Sequence, residues 1–83
     1  MMSCEELRLA KRRTVGTKQT AKALDRGTAR VVFVARDAEE HVVRGIVRAC
    51  QERSVRLVYV DSMADLGRAC GIEVGAATAA VVD

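Results

Sequence analysis

The 83-residue sequence predicts an α/β fold: a three-layer α/β/α sandwich with a central mixed four-stranded sheet, in one domain over residues 1–83. Residues 31–35 and 57–60 are continuous apolar runs rich in β-branched side chains, which is typical of strands buried on both faces. The segments around them carry apolar residues at helical spacing. Strand and helix therefore alternate along the chain, which favours helices on both faces of the sheet.

The first third of the chain predicts two helices. A short helix over Glu5–Arg12 leads through residues 13–15 to a second helix bounded by Gly16 and Gly27. Basic residues recur every four positions on one face of this second helix, and its opposite face is expected to pack on the core. The basic residues are Lys18, Lys22 and Arg26, and the core-facing residues are Thr20, Ala21 and Leu24.

The middle of the chain predicts a strand, a turn and a long helix. The strand at residues 31–35 is followed by Asp37, a candidate N-cap, and by a helix over Glu39–Arg53. This helix has an apolar face and an outer face of alternating charges. The apolar positions are Val43, Ile46, Val47 and Cys50, and the charged ones are Glu40, Arg44, Arg48 and Glu52.

The last third predicts a strand, a short helix and a final strand. After the strand at residues 57–60, Ser62 and Asp65 resemble a capping box, with Asp in place of the usual Glu or Gln. The helix that follows carries Leu66 and Cys70 inward and ends at Gly71, a candidate left-handed cap. A loop over residues 71–75 then leads to a strand of small residues over 76–82.

The charges of the chain are segregated, which indicates an anionic partner at one end. Residues 1–30 carry a net charge of +5 and residues 31–83 carry −2, within an overall charge of +3. An ordinary solvated basic helix is the alternative explanation for the same pattern.

Other features of the composition exclude several classes of protein. The three cysteines, Cys4, Cys50 and Cys70, are far apart and His41 is the only histidine, so no metal or cofactor is predicted. No apolar run approaches the roughly 20 residues that cross a bilayer. The N-terminal residues do not resemble a signal peptide, and a cytoplasmic monomer without membrane contact is expected.

Aromatic residues are scarce, which narrows the mode of nucleic-acid recognition. The two rings, Phe33 and Tyr59, both fall in strands predicted to be buried. Readers of single-stranded RNA need exposed rings on which bases stack. The composition therefore favours recognition of a structured RNA through its shape and its phosphates.

Two segments form the predicted binding site. At the start of the second helix, Lys18 and Gln19 adjoin unpaired backbone N–H groups and the positive end of the helix dipole, a combination that suits a polyphosphate such as RNA or DNA. The distant loop places Ile72 and Val74 between Gly71 and Gly75, where turns usually prefer polar side chains. These apolar residues either fold back on the core or contact a partner such as an unstacked base, which the glycines would allow to approach closely.

These two segments carry a family resemblance that spans nearly the whole chain. The first is Gly16-Thr17-Lys18-Gln19-Thr20 with Lys22 and Arg26-Gly27, and the second is Leu66-Gly67-Arg68-Ala69-Cys70-Gly71-Ile72-Glu73-Val74. With their separation and the order of strands and helices, they resemble the kink-turn RNA-binding ribosomal-protein family of the L-seven-Ae type. The chain is most similar to the small bacterial members of that family.

The resemblance implies a three-layer α/β/α fold that binds kink-turns in RNA. Kink-turns are bent RNA elements in which a bulge of three nucleotides is followed by tandem sheared G·A pairs. By position, the helix that begins at Gly16 and Thr17 would enter the major groove at the kink, and Ile72, Glu73, Val74 and Gly75 would cover the bulged nucleotides. Lys18 and Gln19 would contact guanine edges, Lys22 a guanine or a phosphate, and Arg26 the RNA backbone. Ribosomal RNA, a riboswitch or another non-coding RNA would supply the motif, with the ribosome as a candidate partner.

The sequence departs from the archaeal and eukaryotic pattern at two places. Lys18-Gln19 replaces a common Asn-Glu pair, so the donors and acceptors offered to guanine change, because Lys only donates whereas Gln does both. Met63 stands where many archaeal relatives carry a lysine.

Two other functions remain as alternatives. Asp37 and Asp61 follow buried strands, as in a small α/β phosphoacceptor module, although both have simpler explanations as cap or turn residues. A ribosome-associated adaptor that binds protein without specific RNA recognition is the other alternative.

Overall fold

A computed structural model describes residues 4–83 and has the predicted three layers. Four strands form one mixed sheet in the order β1-β4-β2-β3, with four helices around it. The elements are α1 (Glu5–Leu9), β1 (Arg13–Val15), α2 (Thr17–Arg26), β2 (Ala29–Ala35), α3 (Glu40–Arg53), β3 (Arg56–Val60), α4 (Met63–Ala69) and β4 (Thr78–Val82).

The strand directions bring several loops to one end of the sheet. β2 and β3 are parallel, while β4 is antiparallel to both β1 and β2, so β1, β2 and β3 all point the same way. Their carboxyl ends therefore share one edge, where β4 begins. The start of α2, the turn after β2 and the segment before β4 all lie at this end of the sheet.

Two apolar clusters fill the spaces on either side of the sheet. On one face, Phe33 of β2 packs with Leu7 of α1 and Leu66 of α4, all fully buried. On the other face, Val32 and Val34 pack with Leu24 of α2 and with the predicted apolar face of α3. Alternate residues of β2 enter opposite clusters, which confirms that this strand is buried on both sides.

The ends of the helices show how local sequence sets their bounds. Gly27 lies in the left-handed region at the end of α2, with φ of 73°. At the end of α4, the N–H of Ile72 donates to the carbonyl of Gly67 and the N–H of Gly71 donates to the carbonyl of Arg68. Gly71 has a φ of 79°, and the two bonds form a Schellman motif. At the start of α4 the Ser62 hydroxyl accepts from the Asp65 N–H at 3.0 Å, as predicted, while the Asp65 carboxylate bonds to Arg68.

Three local predictions were wrong. Residues 13–15, expected to be a connection, form strand β1, which pairs only with β4. α1 ends at Leu9 instead of Arg12. Asp37 does not cap α3; the N-cap of α3 is Glu39, which makes no side-chain capping bond. The Asp37 carboxylate instead accepts the N–H of Met63 at the start of α4, at 2.7 Å. A contact between distant segments thus replaces the local cap.

The expected burial of Tyr59 was also wrong. Phe33 is fully buried, but Tyr59 is 44% exposed because β3 is an edge strand with no further strand beside it. The exclusion of exposed aromatic rings therefore holds for one of the two rings only.

Both cysteines predicted in the core are buried there. Burial raises the pKa of the Cys50 and Cys70 thiols, so both stay protonated near neutral pH and are poor metal ligands and nucleophiles. Within residues 4–83, no group of three or more His, Cys, Asp or Glu side chains is placed to hold a metal ion. None of the helices in this range is long and apolar enough to span a membrane.

Candidate nucleic-acid interface

The N-terminus of α2 is open and presents backbone donors. Its N-cap is Gly16, which has no side chain to occupy the N–H groups of the first turn, and the first helical bond runs from Thr20 N–H to Gly16 C=O at 3.0 Å. Gly16 has φ of 96° and ψ of 157°, a combination essentially confined to glycine. The donors of the first turn and the positive end of the helix dipole are therefore available to an anion.

Threonine side chains fix this helix end on the sheet. The hydroxyls of Thr14 on β1 and Thr20 on α2 are 2.9 Å apart, and the Thr78 hydroxyl of β4 donates to Thr17 at 3.4 Å. The Gly16 N–H also bonds to the Thr78 carbonyl at 2.8 Å. Thr20 and Thr78 are fully buried with their hydroxyls paired, so the start of α2 is held against two strands.

The polar residues predicted on α2 all reach solvent. Lys18, Gln19, Lys22 and Arg26 are exposed, and the core-facing Thr20 and Leu24 are buried as expected. Three basic side chains thus follow one another along the exposed face of α2, from the open N-terminus to the last turn.

The loop over residues 71–75 presents apolar side chains to solvent. Val74 is 70% exposed and Ile72 is 36% exposed, so of the two alternatives for these residues, folding back on the core is wrong for Val74. Glu73 between them is also exposed. An exposed pair of β-branched residues in a loop is a feature that a partner would be expected to cover.

The glycines of this region are needed for packing within the chain. A Cβ on Gly67 would overlap the carbonyl oxygen of Val74 and lie 3.1 Å from its carbonyl carbon, so the loop backbone rests directly on α4. A Cβ on Gly75 would lie 3.0 Å from the Cβ of Met63. Gly75 thus packs against Met63 within the chain, and its contact with a partner stays a prediction.

Hydrogen bonds to main-chain atoms tie the loop to the turn after β2 and to the start of β1. Met63 donates its N–H to the Asp37 carboxylate, and its carbonyl accepts the N–H of Ala76 at 3.0 Å. On the other side, Arg13 donates to the carbonyl of Cys70 at 3.1 Å, at the end of α4. Gly67, Arg13 and Asp37 thus position the loop, a role that the sequence does not predict for any of them. The one sequence signal for such a role is that Gly67 lies only a few residues before the loop.

The structure brings the two predicted segments to the same end of the molecule. Thr78, three residues beyond Gly75, contacts the first two residues of the α2 segment. The fold and this end together define a small α/β/α protein with a cationic helix N-terminus beside an exposed apolar loop.

Comparison with known proteins identifies the family. The sequence model that describes the ribosomal protein L7Ae/L30e/S12e/Gadd45 family matches residues 4–83, and the chain belongs to that family.

Similar proteins from bacteria and archaea span most of the chain. It is 55% identical over 71 residues to an RNA-binding protein of Caldanaerobacter subterraneus, covering 86% of this chain and 87% of that one. It is 43% identical over 81 residues to the RNA-binding protein YbxF of Geobacillus stearothermophilus, covering 98% and 99%. The large ribosomal subunit protein eL8 of Haloquadratum walsbyi is 41% identical over 69 residues, 82% of this chain and 58% of that protein.

Solved structures share the fold. The Giardia lamblia 15.5kD RNA binding protein superimposes with a TM-score of 0.80 at 28% identity, over 98% of this chain and 65% of that one. A protein of unknown function from Bacillus halodurans superimposes with a TM-score of 0.83 at 25% identity, over 99% and 83%.

Proposed function

We propose that residues 1–83 form a non-enzymatic RNA-binding domain that recognises kink-turns in structured RNA and stabilises their bent form. In this proposal the N-terminus of α2 enters the major groove at the kink, and the loop over residues 71–75 covers the bulged nucleotides. The chain would act as a cytoplasmic monomer on ribosomal RNA, a riboswitch or another non-coding RNA, with the ribosome as one setting.

One observation carries the proposal most directly: an uncapped, cationic helix N-terminus and an exposed apolar loop lie at the same end of the fold. The first suits phosphates and guanine edges, which accept hydrogen bonds at O6 and N7. The second suits nucleobases that have left the stack, because their faces are apolar. A regular duplex would use only the first, whereas a bent element with a bulge would use both.

The family and the printed names of the relatives support RNA as the ligand. The phosphoacceptor alternative has less support, because the Asp37 carboxylate is engaged by the Met63 N–H at the start of α4. The protein-binding adaptor is distinguished by the experiment that follows, since it would not bind the RNA.

Binding to a kink-turn should exceed binding to a straight duplex of equal length on the order of a thousandfold, as for specific and non-specific nucleic-acid complexes. The measurement is titration of a kink-turn RNA whose two arms carry a fluorescent donor and acceptor, at low Mg²⁺, where bending raises energy transfer. Equal affinity for the two RNAs would leave only non-specific electrostatic binding. No binding to either would favour the adaptor.

Gln19→Ala should weaken kink-turn binding by about 1–3 kcal/mol, because Gln19 is exposed in the first turn of α2 and is assigned a base-edge contact. Its affinity for a straight duplex should be unchanged. Glu5→Ala is the control, since Glu5 is also an exposed polar residue in the first turn of a helix, α1, but belongs to neither segment of the proposed site. A similar loss for both variants would contradict the assignment of Gln19.

A further inference from the structure

A groove of about 510 Å³ lies along the flank of α3 that faces the edge strand β3. Its floor is apolar and includes Val34 and Val47, and its lining includes three arginines, Arg36, Arg44 and Arg48, and the ring of Tyr59. We call it the arginine groove. None of its arginines belongs to the basic segment of residues 1–30, so the function proposed above leaves this surface unused.

Tyr59 supplies an exposed aromatic ring at the end of this groove that lies near the carboxyl end of β3. The residue is 44% exposed. The guanidinium carbon of Arg36 lies 5.4 Å from the centre of the ring, within cation–π distance. The guanidinium lies over the ring, and a stacked pair of an exposed ring and a guanidinium is a surface on which unpaired bases stack in RNA complexes.

The arginines of the groove are held only by weak pairs. Arg36, Arg44 and Arg48 approach Asp61, Glu40 and Glu52 at 3.8–3.9 Å, and all six side chains are more than 60% exposed. Such surface pairs contribute little free energy, so a phosphate can replace the carboxylates. Of the three carboxylates, only that of Glu40 lines the groove. Arg44 and Arg48 are about 6 Å apart along the helix axis, similar to the repeat of an extended nucleic-acid strand.

The arginine groove begins at the same end of the sheet as the proposed RNA site. Arg36 is followed by Asp37, whose carboxylate accepts the N–H of Met63, and Met63 in turn accepts the N–H of Ala76 just after the apolar loop. The groove therefore starts at the carboxyl end of the parallel strands, on the face opposite the one that holds Met63 and Ala76, and runs along α3 toward Gln51.

We propose that the arginine groove binds a single-stranded RNA segment that flanks the bent element, with one base stacked on the pair of Tyr59 and Arg36 and phosphates on Arg44 and Arg48. This inference rests on the proposed function, since it requires an RNA held at the start of α2. It adds a second contact surface that would favour RNAs with unpaired nucleotides next to the kink.

The test compares one minimal kink-turn duplex with versions that carry about four unpaired adenosines, a length matched to α3, at each of the strand ends in turn. The extension at one strand end should raise the affinity about tenfold, the gain expected from one stacked base. Tyr59→Leu, which keeps an apolar side chain but removes the ring, should abolish this gain without changing the affinity for the minimal duplex. Tyr59→Phe is the matched control and should retain the gain.

The outcomes separate this inference from the proposed function. Failure of the wild type to bind the minimal duplex overturns both. Tight binding of the minimal duplex with no gain from any extension overturns the arginine groove alone, as does a gain that survives in Tyr59→Leu. Should Tyr59→Leu fail to fold, the double variant Arg44→Gln and Arg48→Gln on the exposed face of α3 provides the same test, and an undiminished gain there overturns the inference.

Discussion

Gly67→Ala should be among the most damaging single-methyl changes in this protein. The added Cβ would overlap the Val74 carbonyl oxygen, and its neighbours there are all backbone atoms, which cannot move aside by changing a rotamer. Overpacking of this kind costs about 1–3 kcal/mol or more, and each kcal/mol lowers the melting temperature of a domain of this size by about 4–8 °C. Thermal unfolding measures the loss. On the proposed function, kink-turn affinity should fall as well, because the apolar loop is displaced.

Gly45→Ala is the matched control for this substitution. Gly45 lies on α3, is exposed, and has no atom within 4 Å of an added Cβ. Alanine should therefore stabilise the helix by about 1 kcal/mol through its higher helix propensity. A Gly67→Ala protein that melts within about one degree of the wild type would contradict the close approach of the loop to α4.

Val43→Asp should unfold the protein at neutral pH. Val43 is 8% exposed and packs in the cluster beneath α3, where an unpaired carboxylate costs several kcal/mol, comparable to the stability of a small domain. Burial raises the pKa of the introduced carboxyl in the folded state above its unfolded value. The folded protein therefore binds the proton more readily, and the loss of stability is greatest at neutral pH and shrinks as the pH falls. Chemical unfolding at several pH values checks both statements.

Val42→Asp is the control at the next position. Val42 is 38% exposed, so a carboxylate there stays hydrated. It also lies in the first turn of α3, where a negative charge interacts favourably with the helix dipole. Its stability should stay within about 0.5 kcal/mol of the wild type. Equal destabilisation by the two variants would show that burial is not the cause.

The sequence predicts the elements whose signals are local. The bounds of α2 follow from Gly16 and Gly27, and the burial of β2 follows from an uninterrupted β-branched run that the structure confirms. The exposure of the predicted α2 residues follows from their helical spacing alone.

What the sequence could not predict depends on contacts between distant segments. Strand β1 has three residues and no alternation pattern, and it forms only because β4 lies beside it. Asp37 precedes one helix but caps another, a choice made by the tertiary fold. The exposure of Tyr59 depends on β3 being the edge strand. An apolar run in the sequence does not show whether its strand lies at the edge of the sheet or in the middle.

The hydrogen bonds that hold the apolar loop at Met63 use only the main chain of that residue. Its N–H meets Asp37 and its carbonyl meets Ala76, so the support of the loop does not depend on which side chain occupies position 63. The half-buried Met63 side chain packs separately against the core cluster on the α4 face, so a substitution at position 63 would change that packing but leave the two main-chain hydrogen bonds in place. The position of the apolar loop and the surface presented beside it at position 63 are therefore set by different atoms of one residue.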